Sequence, residues 1–163
     1  MFKKYFSQCR FECMNRAVLL LFFCVNGCSA LQPLPPVDLA APGWKTRQGE
    51  AVWRSGTSAP EITGELLVAI NPDGSSLVQF TKTPIPFVTA QCTSNEWQTH
   101  FVAANRTYRG RGSPPTQLIW FYLPRCLDGA PLPKPFSWQL LPDNQWRLEN
   151  RKTGEMLQGY LNP

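Results

Sequence analysis

One histidine, 11 acidic side chains and six cysteines are the groups of this 163-residue chain that could carry covalent, metal or acid–base chemistry. Their spacing decides which. With His100 the only histidine, ligand sets of two or three imidazoles have no members, and a Ser-His-acid triad would have to form around this one ring. No nucleophile elbow accompanies it: Ser55-Gly56-Thr57-Ser58 is a loop composition. His100 itself alternates with Trp97, Thr99 and Phe101 and reads as the solvent-face residue of a strand. The carboxylates show neither DxD nor ExxE spacing, so metal-assisted or two-carboxylate catalysis has no seat in the sequence. The expectation is a protein that is not an enzyme and takes no metal or cofactor.

The cysteines point elsewhere. Lys3, Lys4, Arg10 and Arg16 precede Ala17–Val25, nine apolar residues without a charge, which lead into Asn26-Gly27-Cys28-Ser29-Ala30. That is the three-part layout of an export signal. As a helix the apolar run would span about 14 Å, against roughly 30 Å of hydrocarbon, too short to stay in the membrane. Val25-Asn26-Gly27-Cys28 resembles the bacterial lipobox, although Asn26 is larger than the usual alanine or serine. The resemblance implies a thioether-linked diacylglyceryl group on Cys28, cleavage before it and acylation of the new amine. Several acyl chains on one residue make a lasting membrane anchor where one is marginal. Ser29 brings no acidic retention signal, which in lipoproteins of two-membrane bacteria implies the outer membrane, with the protein facing the periplasm. Met14-Asn15-Arg16 ahead of the apolar run also forms a complete short signal, making Met14 an alternative start.

Charge agrees with this division. The formal net charge is +5, but setting aside the four N-terminal cations and Glu12 leaves 12 basic and 10 acidic residues. So even a balance offers no electrostatic footprint for nucleic acid. Tyr108-Arg109-Gly110-Arg111-Gly112 is one short Arg-Gly copy and reads as a solvated loop, and Asn105-Arg106-Thr107 is a glycosylation sequon that matters only in a eukaryote.

The chain therefore divides into a signal peptide over 1–27, a lipidated Cys28 with a Pro-rich tether over 28–43, and one mainly-β domain over 44–163. Four prolines between Leu31 and Gly43 favour an extended spacer. Strands are predicted over 48–54, 62–70, 77–82, 87–92, 97–102, 136–140, 146–149 and 156–160. Turns at Asn71-Pro72-Asp73-Gly74, Thr93–Glu96, Pro142-Asp143-Asn144 and Asn150–Gly154 connect them. Hairpins with one apolar face each make a curved antiparallel sheet, an incomplete barrel, the natural architecture. Thr116–Leu123, after Pro114-Pro115, has no period of two; it suits a short apolar helix lying on the sheet as a lid, and equally a fully buried strand.

Once Cys9, Cys13 and Cys24 go with the signal and Cys28 with the lipid, Cys92 and Cys126 remain, a disulfide candidate in an oxidising compartment. Closing that loop would stabilise the fold by about 4 kcal/mol in the chain-entropy model. Two separately buried thiols are the other reading. The aromatic inventory, six Trp and ten Phe, either fills the concave face as ordinary core or leaves a groove for an acyl chain.

Glu65–Gly74, Leu77–Phe80, Thr83–Val88 and the Trp97 strand, followed by Leu118–Leu127, Gly129–Pro133 and Trp146-Arg147-Leu148, resemble in their order the LolA/LolB lipoprotein-localisation fold. That fold is an incomplete antiparallel barrel with helices over a hydrophobic cavity. The resemblance implies a lipoprotein that binds lipid or acyl chains, with Leu66, Val68, Phe87, Trp97, Phe101, Leu118, Trp120, Trp138 and Trp146 as cavity candidates. The family's protruding apolar loop has no counterpart, because Asn71–Ser76 is polar, so the transfer activity itself is not implied. A structural or assembly lipoprotein holding an envelope protein partner is the alternative, and a secreted, disulfide-linked eukaryotic domain the third reading.

Overall fold

Alternation of apolar and polar side chains, read strand by strand, is what builds the molecule. The structure is a computed structural model and describes residues 31–162. The expected signal peptide, the expected lipobox residues Val25-Asn26-Gly27 and the expected lipidation site Cys28 lie outside the described residues. Nine strands form: β1 (Lys45–Arg54), β2 (Glu61–Ile70), β3 (Ser76–Lys82), β4 (Ile85–Cys92), β5 (Glu96–Phe101), β6 (Arg106–Arg111), β7 (Phe136–Leu140), β8 (Gln145–Asn150) and β9 (Glu155–Leu161). They make one antiparallel sheet in the order β6-β5-β4-β3-β2-β1-β9-β8-β7, not closed into a barrel. Two meanders, β1 to β6 and β7 to β9, meet where β1 pairs with β9. Eight of the nine strands fall within three residues of the sequence reading.

The strand missed is β6. Every side chain in it is exposed except the half-buried position at Gly110, so no apolar alternation marks it. Tyr108–Arg111 is thus strand and not the loop expected. It forms because β5 offers an unpaired edge: Glu96 faces Arg111, Thr99 faces Tyr108 and Phe101 faces Arg106. Arg111 Nε reaches Glu96 Oε1 at 3.2 Å, and Arg109 Nε donates to Gln98 Oε1 at 2.8 Å.

The two readings of Thr116–Leu123 resolve in favour of helix. A 3-10 turn, Ile119–Phe121, runs into helix α1, Leu123–Leu127, with Pro124 in its first turn. The reason lies in hydrogen bonding. The segment lies over the apolar face of the sheet, where no strand edge is free, so its backbone must satisfy itself: Tyr122 N donates to Ile119 O and Cys126 N to Tyr122 O, each at 3.0 Å.

The sheet curls around this segment. β1 and β5 are four strand intervals apart, about 19 Å in a flat sheet, yet the rings of Trp53 and Phe101 have centroids 6.3 Å apart. One apolar cluster occupies the concave side, from Ala51 and Trp53 through Phe80 and Val88 to Leu148 and Leu157, with Ile119–Leu123 at its centre.

The folded unit begins earlier than expected, at Pro33. Leu34 N donates to Gln98 Oε1 at 3.1 Å and Gln91 Nε2 to Pro35 O at 2.9 Å. From Pro33 onward the Pro-rich segment is therefore laid on the outer face of β4 and β5, and does not stand free as a spacer. Its prolines leave few donors of their own to satisfy, and outward-pointing glutamines supply the partners.

Candidate functional site

Trp120 decides which part of the concave face is filled. It is fully buried and packs on Trp53 at 5.3 Å and Phe80 at 5.5 Å between centroids. Leu66, Val68 and Trp146, each at most 2% exposed, complete the same interior. These four cavity candidates are core, because the 3-10 turn presses Trp120 onto the strands that carry them. Trp97 meets Phe121 edge-on at 5.7 Å and lies across Gly110, where any Cβ would run into its ring. Trp138 stacks on Trp146 at 5.7 Å and lines a separate concavity of about 530 Å³ beside Cys126, Leu127 and Leu132.

Beyond the reach of Trp120, the concave face stays open. A cavity of about 870 Å³ lies there, within the range of small-molecule sites. Three predicted residues line it, Phe87, Phe101 and Leu118, together with Trp53, Ile62 and Tyr108. The local geometry has identifiable causes. At the β3–β4 pairing the register shifts between Phe80 and Thr81, so that Val88 faces Phe80 and Pro86 faces Thr81. Phe87 is the extra residue of this bulge, and a bulge re-aims a side chain. Its ring therefore reaches the concave side, 5.8 Å from Trp53 and 6.4 Å from Phe80. On β5 and β6, Phe101 and Tyr108 continue the wall with rings 6.1 Å apart. Ser55, Arg106, Gln117, Thr153 and Glu155 add its polar atoms.

Glu155 is the unexpected member. It is 7% exposed and opens β9 directly after the Asn150–Gly154 turn. Trp53 Nε1 donates to Glu155 Oε1 at 3.0 Å, and the Ile119 backbone N–H also bonds the carboxylate. Burial pushes its pKa from about 4.5 up to about 7, against the opposing pull of those two hydrogen bonds. Among the described residues no cation forms an ion pair with it: Arg54 goes to Glu61, Arg111 to Glu96 and Arg147 to Glu149. A signal for it exists in the sequence. Glu155, Leu157 and Gly159 share the inward phase of β9, so a carboxylate stands where the alternation asks for an apolar side chain.

Cys92 and Cys126 are free thiols, not a bridged pair. Cys92 Sγ donates to Thr93 O at 3.3 Å, and Cys126 is a buried residue of α1 itself. Burial raises both thiols, Cys126 to about 12, which keeps them protonated and unreactive. His100 pairs with Thr107 and lies on the face opposite Thr99 and Phe101, away from the cavity. Among the described residues no three His, Cys, Asp or Glu side chains are grouped to hold a metal ion, and no helix is long and apolar enough to cross a membrane.

The arrangement is that of an aromatic-walled receptacle with one buried acid. Comparison with family models, curated proteins and solved structures finds no match to the chain.

Proposed function

We propose that the chain is a non-enzymatic lipoprotein, anchored in the outer membrane through fatty acyl chains on Cys28, that binds lipid or acyl chains in the Trp53–Phe101 cavity. The cavity of about 870 Å³ is the observation that carries the reading. Its walls are the half-buried Ile62, Phe87, Phe101 and Leu118 together with the buried Trp53, at the margin of a filled core. At about 0.8 kcal/mol per methylene, eight methylenes of a chain laid against them contribute roughly 6 kcal/mol before the cost of ordering the chain. The open sheet with a helical segment over its concave face is also the architecture that the LolA/LolB resemblance implies, and a role in lipid or lipoprotein trafficking follows from it.

Native mass spectrometry of protein extracted in mild detergent tests the cavity. Co-purifying acyl lipid is expected from the wild type and not from Ala104→Trp, which places an indole in the mouth. A ligand-free wild type that instead retains an envelope protein would replace this reading with the assembly one, which the 78% exposed Leu140 on the edge strand β7 favours. The anchor is tested separately. Cys28→Ser is expected to lose its acyl mass and move from the detergent phase to the aqueous phase of a detergent split.

A further inference from the structure

Glu155 is the only charged side chain buried among the described residues. An ionised carboxylate in apolar surroundings is costly unless an opposite charge meets it. The protein supplies two neutral donors, Trp53 Nε1 and the Ile119 N–H, and no cation. No charged side chain of the neighbouring segments forms an ion pair with it, and Arg151 and Lys152 of the turn before β9 are exposed. On β8 its register partner is the neutral Asn150; on β1 the neighbouring cation Arg54 turns to Glu61; on β6, Tyr108 and Arg106 line the cavity, and Arg106 stays exposed without an ion pair to Glu155. Trp53, which donates to the acid, has its ring centroid 5.8 Å from that of Phe87 and 6.3 Å from that of Phe101, and all three rings line the same cavity as Glu155. Aromatic faces attract cations, most strongly where water is excluded.

We propose that the cavity selects amphiphiles whose head carries an ammonium group, the cation meeting Glu155 beside Trp53 and the apolar body running along the Phe87, Phe101, Ile62 and Leu118 walls of the same cavity. This inference rests on the reading of the cavity as a binding site and names the chemistry of its ligand. A fatty acid would set its own carboxylate against Glu155; a neutral chain would leave the acid without a counter-charge. The occupant that answers both the walls and the acid is a cation with an apolar tail.

The sign of the pH dependence follows. Glu155 binds the cation only when ionised, and its pKa lies near 7, so affinity rises as pH rises through neutrality and then levels off. Isothermal titration of the wild-type protein with decyltrimethylammonium, whose charge does not titrate, is expected to give binding about tenfold tighter at pH 8 than at pH 6 at constant salt. Decan-1-ol should bind equally at both. In Glu155→Gln, which keeps an acceptor for Trp53, the ammonium probe should fall to the affinity of the alcohol at both pH values. Decanol binding with no preference for the ammonium, or a preference that survives Glu155→Gln, would overturn the head-group assignment and leave the cavity standing. Tighter binding of decanoate than of the ammonium would do the same. Tetramethylammonium binding as tightly as the decyl compound would make the ligand a free cation and overturn the amphiphile. Absence of binding by all the decyl probes to folded protein would remove the cavity reading itself.

Discussion

At the residue scale, Glu155 couples the site to stability. Its pKa is about 7 in the folded chain against an ordinary 4.5, so the folded state holds the proton more tightly than the unfolded state. Linkage then sets the direction: the stability contributed by the protonated acid is complete below about pH 4.5 and is lost as pH rises through 7. A shift of this size corresponds to a loss on the order of 3 kcal/mol. Urea unfolding of the wild type is expected to show that decline between pH 4.5 and 7.5. Glu155→Gln should flatten it and be the more stable of the two above pH 7. Equal slopes in both proteins would show that the carboxylate is not desolvated.

Elements matter here through what they fail to bury. β6 carries Arg106 and Tyr108 into the cavity wall, and its hold on β5 depends on Gly110, over which the Trp97 ring lies. A larger side chain there must displace either that ring or the strand. Gly110→Val is expected to destabilise the domain by about 1–3 kcal/mol. It should also raise amide exchange selectively along 106–111, a pattern that exchange mass spectrometry resolves. β6 escaped the sequence reading for a related reason. An edge strand buries little and needs no apolar period; Arg-Thr-Tyr-Arg-Gly-Arg forms a strand because Glu96–Phe101 offers it hydrogen bonds, which are not written in its own residues. The segment over 116–123 was ambiguous in the same way, since an apolar run is compatible with any buried backbone that satisfies its polar groups.

On the scale of the whole molecule, the curl of the sheet and the depth of the 3-10 turn set the boundary between core and cavity. Trp120 stands at that boundary, in contact with Trp53 on one side and Phe80 on the other. Trp120→Ala should cost about 3–5 kcal/mol in urea unfolding and extend the open space toward Leu66 and Val68. A loss under 1 kcal/mol would mean that the turn is not seated as described. Sequence by itself determined the mainly-β class, eight strands and their turns, because periodicity and turn chemistry are properties of neighbours in the chain. Tertiary structure alone decided that β1 lies against β9, that Trp53 donates to an acid 102 residues away, and that Phe87, Phe101 and Leu118 line a cavity while Leu66, Val68, Trp120 and Trp146 fill a core. Alternation records which side of a strand a residue occupies; whether that side meets another side chain or open space depends on how far the sheet curls and where the crossover lands.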